Sequence, residues 1–138
     1  MPTTIRLKDL KNRGSDHHPY NIRVGISNET VDNPQMTMAY VIIPPGARSK
    51  RHYHANSNVA IYVIKGRLRR FVGPEDKIEE VDIEAGDFIF IPKGEIHGNV
   101  NLSDTEPAEM VTCYGNVAGD LKRFCRYKGI KLVNEAAA

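Results

Sequence analysis

Short runs in which apolar and polar residues alternate, cut by glycine and proline, dominate this chain. Asn21-Ile22-Arg23-Val24-Gly25-Ile26-Ser27 alternates with period two, the pattern of a strand buried on one face. Met36 to Ile43 is a longer apolar run ended by Pro44-Pro45-Gly46. Arg51 to Ala55 is a short strand, Asn56-Ser57-Asn58 a turn, and Val59 to Ile64 a β-branched apolar run. Lys65-Gly66 has the form of a two-residue hairpin turn, with glycine supplying the positive φ and Arg67 to Val72 as the return strand. Lys77 to Ile83, Phe88 to Ile91, His97 to Leu102 and Ala108 to Tyr114 follow as strands. They are divided by Gly73-Pro74-Glu75-Asp76, Glu84-Ala85-Gly86-Asp87, Pro92-Lys93-Gly94 and Ser103 to Pro107. Asp120 to Tyr127 fits one helical turn or a further strand, Gly129 to Val133 fits a last strand, and Glu135-Ala136-Ala137-Ala138 reads as a frayed end.

Roughly ten short strands with regular turn signals predict an all-β sandwich or barrel. No long amphipathic helix and no repeat of solenoid or propeller type interrupts the pattern. A chain of 138 residues suits one domain, large enough for a core without disulfide or metal staples. Within it the pattern separates N-terminal strands and loops over 1–35, a strand-dense core over 36–116, and a C-terminal extension over 117–138.

Charge narrows the partners. Lys and Arg total 19 against 17 Asp and Glu, a net charge of +2, without the basic excess of a nucleic-acid binder. Basic residues cluster in Arg48-Ser49-Lys50-Arg51 and Lys65-Gly66-Arg67-Leu68-Arg69-Arg70. Solvated strand ends are the ordinary reading of such clusters; a rim attracting an anionic substrate is the sharper one. Cys113 and Cys125 form no Cys-x-x-Cys and read as reduced, buried thiols. With no apolar run after Met1 and no apolar stretch near about eighteen residues, the expectation is a cytoplasmic protein without a membrane partner.

The chemistry lies in three histidines. His52 and His54 are two apart on one strand and share a face, with Tyr53 on the other. His97 sits on a distant strand, from which it can meet them inside a barrel. Three converging imidazoles suit a transition metal. Val59, Ile61 and Val63 share a face and would surround the site with an apolar wall, where burial keeps imidazole neutral and able to ligate. His17 and His18 lie in the polar loop Arg13 to Pro19, where solvation or capping is the expected role.

The spacing around these histidines resembles the two motifs of the cupin superfamily. The first is Gly, five residues, His-x-His, three or four residues, Glu, six residues, Gly; here Gly46 precedes His52-Tyr53-His54, and Gly66 closes it. Counting back from Gly66 puts Val59 where the glutamate is expected. The second is Gly, five residues, Pro-x-Gly, two residues, His, three residues, Asn, and Gly86, Pro92, Gly94, His97 and Asn101 complete it. The resemblance implies a single-domain, jelly-roll-like β-barrel. It also implies a divalent metal at His52, His54 and His97 in many members, and none in others.

A ligand set without carboxylate resembles, within that superfamily, the three-histidine iron sites of thiol dioxygenases and of the diketone-cleaving dioxygenase. Iron(II) and a dioxygenase are therefore favoured, with zinc, manganese or nickel and a lyase, isomerase or decarboxylase as alternatives. A non-catalytic sensor or storage module is the rival from another class. Asn58, one position early, could supply an amide oxygen in place of the missing glutamate. Glu95 could serve as a proton donor at the rim, though an exposed loop acid is its ordinary fate. Tyr114 or Cys113 could border the pocket. Tyr40 and Tyr62 read as core packing. Met36 and Met38 share a face and pack the wall, and Phe90 would join Val59, Ile61 and Val63 there. Arg48, Arg51 or Arg69 could receive an anionic group of a small-molecule substrate. A homodimer is implied by the resemblance, and Thr3 to Leu10 could be the strand that pairs between copies.

Overall fold

The structure, a computed structural model, describes residues 2–14, 19–115 and 130–134, the last of these as backbone. Among them ten strands form two five-stranded antiparallel sheets. They are β1 Asn21–Ile26, β2 Met36–Ile43, β3 Arg51–His54, β4 Val59–Lys65, β5 Arg67–Val72, β6 Glu79–Glu84, β7 Phe88–Ile91, β8 His97–Asn101, β9 Ala108–Gly115 and β10 Ile130–Asn134. One sheet runs β1-β2-β9-β4-β7 and the other β10-β3-β8-β5-β6. This is the expected all-β jelly roll, and each strand boundary falls within a few residues of the position read from the alternation. His17, His18, Cys125 and the segment Asp120 to Tyr127 lie outside the described residues.

Alternation decides the core. Ile22 and Val24, Ala39, Val41 and Ile43, then Val59, Ile61 and Val63 are all buried, each set at period two on its own strand. Their outward neighbours include the exposed Met36 and Met38, so these methionines pack on the outer surface and not on the barrel wall.

Two expectations are corrected by topology. Lys65-Gly66 does not close a hairpin. β4 pairs with β7 and β9, whereas β5 pairs with β6 and β8, so the chain crosses between the sheets at Gly66. Gly66 has φ +95°, and a Cβ there would stand 2.7 Å from the Ala108 Cβ. Glycine is thus required twice over, by conformation and by the close approach of β9. Thr3 to Leu10 is not a strand either; its only regular element is a 3₁₀ turn at Leu7–Asp9.

Candidate metal centre

Strand register brings the histidines together. His52 and His54 lie on one face of β3, and antiparallel pairing sets His52 opposite His97 of β8. The three ring centroids are 5.0, 4.5 and 5.1 Å apart, and one ligand atom from each falls within 4.8 Å of the others. All three side chains are buried. Among the described residues no Asp, Glu or Cys joins the group.

Backbone carbonyls orient two of the rings. His52 Nδ1 lies 2.6 Å from the Lys50 carbonyl and His97 Nδ1 2.9 Å from the Glu95 carbonyl. A carbonyl only accepts, so each Nδ1 carries the proton and donates it. With Nδ1 so engaged, Nε2 is the nitrogen each of these rings can present to a metal, and such backbone support is a common second tier of metal-binding histidines. Burial, then the neighbouring His52, pushes the His54 pKa down to about 3. His97 is also held well below the usual imidazole range, first by burial and then by His52 and His54. Near pH 7 these two rings are therefore neutral, the form that binds a metal.

Tyr20, Val59, Ile61, Ile91, Asn99, Thr112 and Tyr114 complete the surroundings. Val59, 2% exposed, stands where a glutamate would complete the usual motif, and the pocket has a methyl surface there. Tyr114 packs edge-on against His54 at 5.4 Å, which puts this candidate at the site. Tyr20 is buried, its hydroxyl donates to the Asn99 carbonyl at 3.4 Å, and burial pushes its pKa up to about 12. The buried Asn99 Oδ1 and Thr112 Oγ1 find no hydrogen-bond partner among the described residues. Buried polar atoms without partners are rare in folded proteins and mark places where water, an ion or a ligand is accommodated. A neutral donor set with two such atoms beside it fits a divalent ion that carries further oxygen ligands.

Other expected site residues lie elsewhere. Phe90 is 65% exposed because β7 pairs with β4 so that Phe90 faces outward beside Ala60, while Ile91 lies inward beside Val59. Met38, 44% exposed, faces outward too. Val63 is buried in the core but does not line the histidine pocket. Asn58 is exposed and its Oδ1 accepts the Lys93 backbone N–H at 2.9 Å, so it does not take the place of the glutamate. Cys113 pairs with Ala60 and Met38 on the outer face. Arg48 is exposed, its Cζ 5.6 Å from the centre of the Phe71 ring. Arg51 is buried on the face of β3 opposite the histidines. It donates to the Gly73 carbonyl, and its stem passes where Gly98 has no side chain. Arg69 is engaged with Asp82 at 2.8 Å on the surface. Glu95 is half-buried; its carbonyl holds His97, but its carboxylate is not among the groups around the histidines.

Asn99, Thr112 and Arg70 escaped the sequence reading. Asn99 is two residues beyond His97, so parity placed it on the site-facing side; Thr112 is two before Tyr114, but the sequence left open whether Tyr114 or Cys113 borders the pocket. Arg70 shares parity with the buried Leu68 and is itself buried.

Residues 39–114, more than half of the chain, match the family model of the cupin domain. A germin-like protein 9-3 of Oryza sativa subsp. japonica is 28% identical over 92 residues, which are 66% of this chain and 42% of that protein. A germin-like protein of subfamily 3, member 2, from Arabidopsis thaliana, is 30% identical over 63 residues, covering 45% of this chain and 28% of its own. The chain thus spans less than half the length of these curated relatives. Among solved structures, an oxalate oxidase superposes with TM-score 0.68 at 22% identity over 94% of this chain and 62% of its own. Oxalate decarboxylase of Lactobacillus farciminis, as a formate complex, gives 0.68 at 24% over 80% and 32%. A conserved Klebsiella pneumoniae protein with a double-stranded β-helix domain gives 0.67 at 18% over 97% and 99%. At these identities the solved structures establish the shared fold.

Proposed function

The chain belongs to the cupin family, and within it we propose a metal-dependent enzyme that binds a divalent ion at His52, His54 and His97 and acts on a small anionic organic substrate. The convergence of three buried imidazoles, two of them held through Nδ1 by backbone carbonyls, carries this reading. The likeness to oxalate oxidase and oxalate decarboxylase supports an organic acid as substrate. No membrane-spanning helix is found among the described residues.

A bound divalent ion would supply Lewis-acid polarisation of an oxygen ligand. The protein groups do the remaining work. His52, His54 and His97 hold the ion without neutralising it, because none carries negative charge; an anionic substrate is then the group that lowers the local charge. Asn99 Oδ1 can accept, and Thr112 Oγ1 can donate or accept, a hydrogen bond from what lies beside the ion. Val59, Ile61 and Ile91 exclude water from that side. The carboxylate-free ligand set differs from the commoner two-histidine, one-carboxylate iron triad; its resemblance to the three-histidine iron sites of cupin dioxygenases is what favours iron(II) and a dioxygenase.

Metal analysis after reconstitution with iron(II), zinc, manganese and nickel tests the first tier. Wild-type protein should take up one equivalent and His52→Ala far less; equal, negligible uptake by both sinks the proposal. Oxygen consumption by the iron-loaded protein with diketones, thiols, catechols and organic acids tests the second. Turnover without oxygen uptake replaces the dioxygenase with a lyase, isomerase or decarboxylase. A coordination sphere filled by four or more protein groups, without turnover, points to sensing or storage.

A further inference from the structure

The space left among the three histidines is about 30 Å³, enough for an ion or on the order of two waters and too small for an organic molecule. A second cavity of about 340 Å³ lies beside it, opening between the edge strand β7 of one sheet and β5 and β6 of the other. Ile91 lines both. The walls of the larger cavity are mostly apolar, with Val72, Ile83, Phe90 and Ile91 among them, and its charged groups are Arg70 and Glu95.

Arg70 is the unusual member. It is only 3% exposed, and one terminal nitrogen, Nη1, has no hydrogen-bond partner among the described residues. Among the described residues no carboxylate comes within ion-pairing distance of it; Glu95 and Tyr20 act on it at longer range. Burial lowers its pKa to about 10, so the guanidinium still carries its charge at neutral pH. A buried arginine without a paired anion is among the costliest arrangements a core contains, and the natural remedy is a carboxylate taken bidentately.

We propose that this side cavity seats an organic carboxylate with an apolar body, and that Arg70 pairs with the carboxylate group. The apolar walls take the body of the ligand, and the shared Ile91 puts its seat next to the three histidines. The volume suits a ring-sized acid and is ordinary for a small-molecule site. Oxalate, with two carboxylates and no apolar surface, would use neither the walls nor the single charge well. The assignment narrows the substrate class of the function proposed above and rests on that reading for the reaction, but not for binding.

Calorimetric titration of the full chain, metal-loaded and metal-stripped, tests it with phenylacetate, its neutral amide phenylacetamide, and oxalate. Phenylacetate should bind at least about tenfold more tightly than either of the others in both states, and Arg70→Gln should reduce its affinity to that of the amide. Arg70→Lys should retain part of the preference. Equal binding of acid and amide, tighter binding of oxalate, or an unchanged affinity in Arg70→Gln overturns the proposal. Phe90→Glu covers the case in which Arg70→Gln does not fold, because Phe90 is solvent-facing at the cavity wall. A carboxylate there should weaken phenylacetate and spare the amide, and unchanged affinity for the acid overturns the proposal. So does a protein whose self-association buries Phe90 and blocks phenylacetate. Metal content of the same samples separates the two readings. Arg70-dependent binding without metal uptake removes only the metalloenzyme, and metal uptake without Arg70-dependent binding removes only this site.

Discussion

The inner faces of the two sheets carry opposite chemistry. β1, β2, β4 and β9 turn Ile22, Val24, Val41, Ile43, Val63 and Met110 into the barrel, whereas β3, β5 and β8 turn in His52, His54, Arg70, His97, Asn99 and Asn101 beside Leu68. Each apolar side chain of the first set contributes at most about 1.5–3 kcal/mol to folding. The second set costs free energy to bury, offset where a side chain makes hydrogen bonds and not offset at Arg70 Nη1 and Asn99 Oδ1, which find none among the described residues. Asn101 shows the offset: its amide donates to the Ile43 and Glu106 carbonyls at 3.1 and 2.9 Å, and its Oδ1 accepts the Ser103 N–H at 3.0 Å. One sheet therefore supplies the stability that lets the other keep polar groups out of water.

Crossing that division has the largest expected effect. Val59→Glu carries a carboxylate from the apolar sheet into the histidine pocket. Without metal it should destabilise the fold by about 3–5 kcal/mol in urea denaturation, the cost of an uncompensated buried charge. With metal it should bind the ion more tightly than wild type, because the carboxylate completes the usual ligand set. If both forms bind metal equally, Val59 does not face the ion.

Single truncations on each side sharpen the contrast. Ile43→Ala should cost about 2–5 kcal/mol of stability with metal stoichiometry unchanged. His54→Ala should reverse that outcome. Metal affinity should fall by more than about 100-fold, beyond what losing a supporting contact costs, while the metal-free protein keeps its denaturation midpoint. Competition with a chelator measures the first quantity and urea titration the second.

A smaller effect is a pH dependence confined to the polar sheet. The His54 pKa is about 3 in the fold against 6.5 in the unfolded chain. Between those values the unfolded chain takes up a proton that the folded one refuses. Stability of the metal-free protein should thus be complete above pH 6.5 and fall as the pH drops below it, His97 adding in the same direction. A midpoint independent of pH from 7 down to 4.5 contradicts this, and Ile43→Ala should not alter the slope. The smallest effect belongs to the exposed outer face, where Arg69→Ala removes a solvent-screened pair with Asp82 and should leave the midpoint unmoved.

How far the chain could be read before folding varied with the range of the interactions. The strands, their turns and the shared face of His52 and His54 were readable, because alternation and glycine placement act over a few residues. Phe88-Ile89-Phe90-Ile91 is apolar at every position, so periodicity named no inner face; pairing with β4 did, and it turned Phe90 outward. The run Arg67-Leu68-Arg69-Arg70 looked like a solvated stretch by charge, yet period two had already put Arg70 with Leu68. Charge obscured a parity that was present.

Local order, the two motif spacings and the absence of a glutamate at Val59 followed from the sequence alone, since each depends on residues near one another in the chain. The opposition of His52 and His97, the crossing between sheets at Gly66, and the cavity that joins Arg70 to the wall of Ile91 were decided by tertiary structure. Each rests on which strand lies beside which, and that is settled by packing two whole sheets against one core rather than by any segment's own preference.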